Sequence, residues 1–229
     1  FMARLSVGTA LRHPDAGPES GNGAVAEQWL AATEELAQEA FGFVRREFRV
    51  EEDHGLATLW SLLGTALSGL FPRPGRLRRL AAEWDPLGLR QLLRAHVRAS
   101  AEHPGPFPSA HVVMVAAPRD IRLSPSASEY GLASELATAD SLGRALAHAH
   151  ASSALPHALR HAAVGSVARA LGQLAVLRLA DPLFLRKARE LSARESQTVA
   201  RLSAAYALAD SRLCAAAVLA RAIRDPNDL

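Results

Sequence analysis

Apolar residues recur at helical spacing along most of the chain, and strand-like alternation is scarce. From Ala24 to about Val50, the residues Trp29, Ala32, Leu36, Ala40 and Phe43 fall on one side of a helix. Leu56 to Phe71 is the longest uncharged apolar run, interrupted by Thr58, Ser61, Gly64, Thr65, Ser68 and Gly69. It is shorter than the about 20 residues a bilayer span requires, so it reads as a buried core helix and no transmembrane segment is expected. Glu51-Glu52-Asp53 precede it, where acids favour a helix N-terminus, and Pro72 and Pro74 end it. A short helix over Arg76 to Trp84 comes next. Asp85-Pro86 then combines a good N-cap with the residue suited to a first helical position, which predicts a helix to about Ala101.

Glu102-His103-Pro104-Gly105-Pro106-Phe107-Pro108 is the clearest interior link. Val112-Val113-Met114-Val115 has strand character, but with Pro118 close behind it is expected to be a short helix or an extended crossover. Ser126-Ala127-Ser128-Glu129 fits a capping box for a helix reaching about Ala151. Pro156 opens another, through to Ala180. Asp181-Pro182 repeats the Asp85-Pro86 arrangement, and final helices are expected near 183–193, 196–209 and 211–224.

Two stretches look like copies of one helical hairpin: Val167-Ala168-Arg169 to Leu191, and Val199-Ala200-Arg201 to Ile223. Each runs through an Ala/Leu-rich helix to an aspartate, Asp181 or Asp210, and then begins a second helix. Asp181-Pro-Leu-Phe-Leu-Arg-Lys is echoed upstream by Asp85-Pro-Leu-Gly-Leu-Arg-Gln. A period of roughly 30 residues signals stacked helix pairs. The fold expected is therefore all-α: antiparallel helix pairs in a short α-solenoid-like array with an irregular centre. Residues 1–23 read as a flexible tail, 24–101 as an N-terminal helical half, 102–125 as linker and crossover, and 126–229 as a C-terminal repeat half.

These residues resemble the octotricopeptide and heptatricopeptide helical-repeat proteins of algal and apicomplexan organelles. The likeness rests on an Ala/Leu helix, then Asp-Pro-Leu-Phe-Leu or Asp-Ser-Arg-Leu-Cys, then a second helix and a short link, Ser192 to Gln197. It covers residues 157–224 and, in part, 76–100; residues 102–155 depart from it. The resemblance implies a non-catalytic protein that binds RNA, or serves as a structural part of an organellar ribonucleoprotein such as a mitochondrial ribosome. Its partners would be ribosomal RNA and neighbouring proteins. Met2 to His13 carries Arg4, Ser6, Thr9 and Arg12 without an acid, which fits an organellar targeting segment. Without such import the setting is cytoplasmic.

Composition sharpens this picture in two ways. Hydrophobic residues make up 49% of the 229, yet aromatics only 5%, so Ala and Leu carry the apolar character and favour helix. Lys187 is the only lysine among 26 basic residues, and the net charge is +3. Arginine forks suit phosphate and carboxylate alike, while GC-rich coding produces the same bias with no partner involved. The densest cluster is Arg73, Arg76, Arg78 and Arg79, with Trp84 near enough in sequence to stack a base. Arg45, Arg46 and Arg49 form a second cluster, and Arg186, Lys187, Arg189 and Arg194 a third. These are the candidate RNA-binding residues, with solvated helix faces as the plainer reading.

The remaining chemistry is thin. His157 and His161 stand four apart on an expected helix, the spacing of a two-imidazole metal site, with His148 and His150 upstream; the glutamate of a His-Glu-x-x-His helix is missing. Cys214 is the sole cysteine, so an intrachain disulfide is excluded, and its apolar setting predicts a buried, inert thiol. Trp29, Phe41, Phe43, Phe48 and Trp60 read as core. The chain lacks a Walker A loop, GxGxxG, GxSxG and CxxC, so no nucleophile, cofactor or small-molecule substrate is nominated. Two further readings stand beside the first: a protein-only scaffold or accessory subunit of a large complex, and a helical enzyme or regulator using a histidine metal site.

Overall fold

The computed structural model describes residues 22–50, 62, 66–72, 75–99, 110–124, 131–157 and 164–224. It is mostly helical, as the spacing predicts, but it also holds a small sheet. In chain order the elements are α1 (Asn22–Ala32), α2 (Glu34–Phe48), α3 (Arg76–Ala82), a 3₁₀ turn (Asp85–Leu87), α4 (Leu89–His96) and β1 (Val97–Ala99). There follow β2 (His111–Ala116), β3 (Asp120–Ser124), α5 (Leu132–Ala149), α6 (Val164–Arg178), α7 (Pro182–Ala188) and α8 (Ala193–Arg224). The chain forms two compact units, one of Phe1–Leu59 with Ala204–Leu229, the other of Trp60–Ser203.

In the first unit, Ala26 and Trp29 of α1 pack against Ala215 of α8, with Leu30, Val218 and Leu219 around them. The buried stripe runs Ala26, Trp29, Thr33, Ala37 and Val44. Ala32, expected on this face, is exposed. The expected single helix is interrupted at Thr33, whose hydroxyl donates to the Trp29 carbonyl at 2.7 Å beside its own backbone N–H at 3.1 Å. Arg212 closes the turn by donating to the Leu30 carbonyl and to Thr33 Oγ1, both at 2.8 Å, and by pairing with Glu34. A carbonyl orphaned at the end of α1 is thereby satisfied.

The second unit is built around α5, which is buried nearly all round, as befits a central helix. It crosses α6 at two glycines. A Cβ on Gly143 would strike the Leu171 carbonyl and lie 2.8 Å from Gly172 Cα; one on Gly172 would strike Asp140. Only hydrogens fit between these backbones.

The sheet has strand order β1-β3-β2, with β1 parallel and β2 antiparallel to β3. Val112 pairs with Leu123 and Met114 with Ile121, ahead of a register shift before Ala116. Ile121 packs on Ala145 and Ala149 of α5, with Val97 and Val112 beside it, while Val113 and Val115 face solvent. The all-α expectation is thus corrected: the Val112–Val115 run is a strand, because β-branched residues on a half-buried pleat find a partner in Ile121-Arg122-Leu123.

Three boundaries also differ from expectation. Asp85-Pro86 opens a 3₁₀ turn that ends at Gly88 (φ 70°), and α4 ends at His96, where the chain becomes β1. The residues of the expected capping box, 126–129, lie outside the described set, and α5 begins only after Gly131 (φ 93°). The expected break at Asp210 does not occur, since α8 is one helix from Ala193 to Arg224. Asp181 does cap α7, accepting from the Leu183 N–H at 2.9 Å, with Pro182 at the first position. Asp210 is followed by Ser211, which keeps its backbone N–H, so nothing forces the ladder to stop. The three aspartates therefore do not occupy equivalent corners.

The Leu56–Phe71 helix falls largely outside the described residues. One described stretch, Ala193–Arg221 in α8, is long and apolar enough to cross a membrane by length and composition. It contains Arg201 and Arg212, and an arginine inside a span is costly, so α8 fits better as a packed helix.

Candidate functional site

The polar groups this fold gathers lie in the second unit, around a carboxylate carried by α5. Glu135 is fully buried. Its Oε2 lies 3.1 Å from Arg76 Nε and 3.9 Å from Arg79, and its Oε1 accepts from Arg189 at 2.7 Å. Arg189 directs its Nε to the Glu83 carboxylate and sits 5.9 Å over the Phe71 ring. The Glu83 carbonyl accepts from Arg178 at 3.0 Å. The Arg178 guanidinium is held over Trp84 at 4.9 Å and over Phe184 at 4.3 Å.

Burial raises the Glu83 carboxyl above its usual range, and this outweighs the charge and hydrogen bond of Arg189. Burial also lowers the Arg178 pKa, with Glu83 opposing, although guanidinium remains protonated in any accessible range. One carboxylate meeting three guanidiniums is a structural clasp. It ties α3, α5 and the end of α7 together, and each charge it buries relies on the others.

This clasp changes the standing of several predicted site residues. Arg76 is 4% exposed and faces Glu135, so it has no open face for a phosphate. Arg189 is committed on both sides, and Arg79 donates to the Pro72 carbonyl at 2.7 Å as well as approaching Glu135. Trp84 is buried beneath Arg178 and offers no platform for a base. Arg78 is exposed; Arg73 lies outside the described residues.

Arg46 and Arg49 are exposed and Arg45 half-buried at the C-terminal end of α2, where cations favour the helix dipole. Arg186 and Lys187 are exposed in the last turn of α7, and Arg194 is exposed near the start of α8. His157 is exposed and His161 lies outside the described residues, so the histidine pair is not placed; His148 is buried. Among the described residues no His/Cys/Asp/Glu group has metal-holding geometry. Cys214 is half-buried. Trp29 is core, Phe41, Phe43 and Phe48 are half-buried, and Trp60 lies outside the described residues.

The described residues form two concavities of note. One, of about 430 Å³, lies by the β2–β3 hairpin, with Arg119, Ser153 and His157 at its wall. The other, of about 250 Å³, is a recess between α3, α4, β1 and α5. Leu77, Ala81, Leu93, Val97 and Leu142 form its apolar floor, and Arg78, Arg90 and Arg94 stand around it. Arg90 pairs with Asp85 at 2.6 Å.

No protein-family model, curated protein or solved structure matches this chain.

Sequence reasoning missed Glu83, Glu135 and Arg178. Glu135 is the one charged residue among Ala, Ser, Thr and Leu in the first two turns of α5, and an acid in so apolar a stretch is a signal for a buried ion pair.

Proposed function

We propose that this chain is a non-catalytic scaffold: a structural component of a large assembly that holds a neighbouring protein, set in the organellar ribonucleoprotein that the repeat resemblance implies. One observation supports this over direct RNA binding, namely the division of the arginines. Arg76, Arg178 and Arg189 are turned inward to carboxylates, carbonyls and rings. Arg78 and Arg94 surround an apolar recess and do not form an open basic stripe. Phosphate backbones reward ranks of exposed cations, whereas an apolar floor with a charged rim suits a protein partner.

Sedimentation of the tagged chain from cell extract tests the reading. Migration with a large particle, together with continued co-migration with a protein neighbour after ribonuclease, supports the scaffold. Collapse to the free chain on ribonuclease treatment overturns it and favours RNA contact. That second reading draws on Arg46, Arg49, Arg186 and Lys187, which are exposed at the C-terminal ends of α2 and α7. Charge reversal at these four would then abolish a salt-sensitive affinity for RNA.

A further inference from the structure

We infer that the recess between α3, α4, β1 and α5 receives an acidic segment of a partner protein, with a bulky apolar side chain on its floor and flanking carboxylates on Arg78 and Arg94. The inference rests on the scaffold reading above and specifies its partner's chemistry. Size comes first. At about 250 Å³ the recess lies below the roughly 300–1,000 Å³ typical of cofactor and small-molecule sites. It suits one or two side chains delivered by a chain that continues past it.

The floor comes next. Leu77, Ala81, Leu93, Val97 and Leu142 are all aliphatic, and no aromatic is among the described residues that line the recess. Single-stranded RNA is held by stacking on aromatic faces, so an unstacked base would gain little here. A leucine or phenylalanine from a partner would gain burial in full.

Charge decides the rest. Asp85 offsets Arg90, whereas Arg78 and Arg94 are exposed and face no acidic group among the described residues. Arg90 and Arg94 stand one turn apart on α4 and Arg78 stands on α3, so the rim carries cations on both helices. Guanidinium forks bind carboxylates in pairs of parallel hydrogen bonds. The surplus charge therefore calls for an acid on either side of the buried anchor.

The test uses the full chain and three fluorescent probes of equal charge. The first is a hexapeptide of four acidic residues around a Leu-Phe pair, the second has Ser-Gly in place of that pair, and the third is a short oligouridylate. The first peptide is expected to bind in the micromolar range, with the other two at least tenfold weaker. Arg78→Glu with Arg94→Glu, both at exposed positions, should weaken it at least tenfold. Ala99→Trp, at the exposed rim, should block it without touching the core.

Failure of the first peptide to bind, equal binding of the second, tighter binding of the oligouridylate, or indifference to the double variant each overturns the site. The two readings fail separately. A protein neighbour retained after ribonuclease, with no peptide binding, keeps the scaffold and removes this recess. Release of the free chain by ribonuclease removes the scaffold, and this inference with it.

Discussion

Glu135 shows how much one side chain holds in place. Three guanidiniums converge on its fully buried carboxylate. Glu135→Ala removes the charge they share while leaving Arg76 buried, and losing one partner of a buried pair costs about 3–5 kcal/mol. Urea denaturation should register that loss, while Arg78→Ala, exposed on α3, should stay within about 0.5 kcal/mol.

A surface pair gives the complementary case. The Glu34 pKa is lowered first by its hydrogen bond from Gln38 and then by Arg212. A depressed carboxyl stabilises the fold above its unfolded value of 4.5 and loses that contribution as pH falls through its folded value. Carboxyl-carbon NMR should place Glu34 below 4.5, with Gln38→Ala and Arg212→Gln each moving it back towards that value.

At this scale the sequence was half legible. It displays arginine clusters, but a buried arginine and a phosphate-binding one read alike in the chain. Arg189 and its Glu135 partner are separated by 54 residues, with nothing local to link them.

Among elements, glycine works in opposite senses at two places. Gly42 lies within α2, where a Cβ would meet only the far end of Arg46, so Gly42→Ala should stabilise by about 0.5–1 kcal/mol. Gly143→Ala drives a methyl into the backbone of α6, which cannot yield as a side chain can. It should cost at least the roughly 1–3 kcal/mol of an overpacked core. Thermal melts of the two variants should move in opposite directions.

Capping follows the same local logic. Asp181→Ala should cost about 1 kcal/mol, because it removes the acceptor of the Leu183 N–H. Here the sequence was most readable, since Asp181-Pro182 specifies a start through fixed geometry. It misled at Asp210, where an Ala/Leu rhythm suggested a second hairpin without a proline to enforce one. The start of α8 is a capping box, Ser192-x-x-Glu195, inside the stretch that reads in sequence as a short link. The Ser192 hydroxyl accepts from the Glu195 N–H at 3.2 Å, and Glu195 accepts from the Ser192 N–H at 2.9 Å. The sheet was harder to foresee, because its buried positions on β3 are only Ile121 and Leu123, too brief an alternation to stand out.

For the molecule as a whole, segments distant in sequence complete one another. The first unit combines residues before Leu59 with residues after Ala204, and Trp29 of α1 depends on Ala215 of α8 for cover. Ala215→Glu would place a charge against that indole. Hydrogen exchange should then rise across α1 and α2 and remain unchanged across α5, if each unit opens by itself. Helical predominance was readable at this scale from composition alone. The division into units was not, because it depends on which distant apolar faces meet.

The crossing of α5 and α6 bears on how this protein's ancestry can be traced. Surface arginines drift freely, and Ala/Leu helices resemble one another across unrelated chains. A position where a single methyl is forbidden drifts far less. Gly143 and Gly172, together with the Asp140 carboxylate lodged beside the second, form a signature imposed by geometry. Distant kin that retain this fold should keep hydrogen-sized residues at both places after every other likeness has faded.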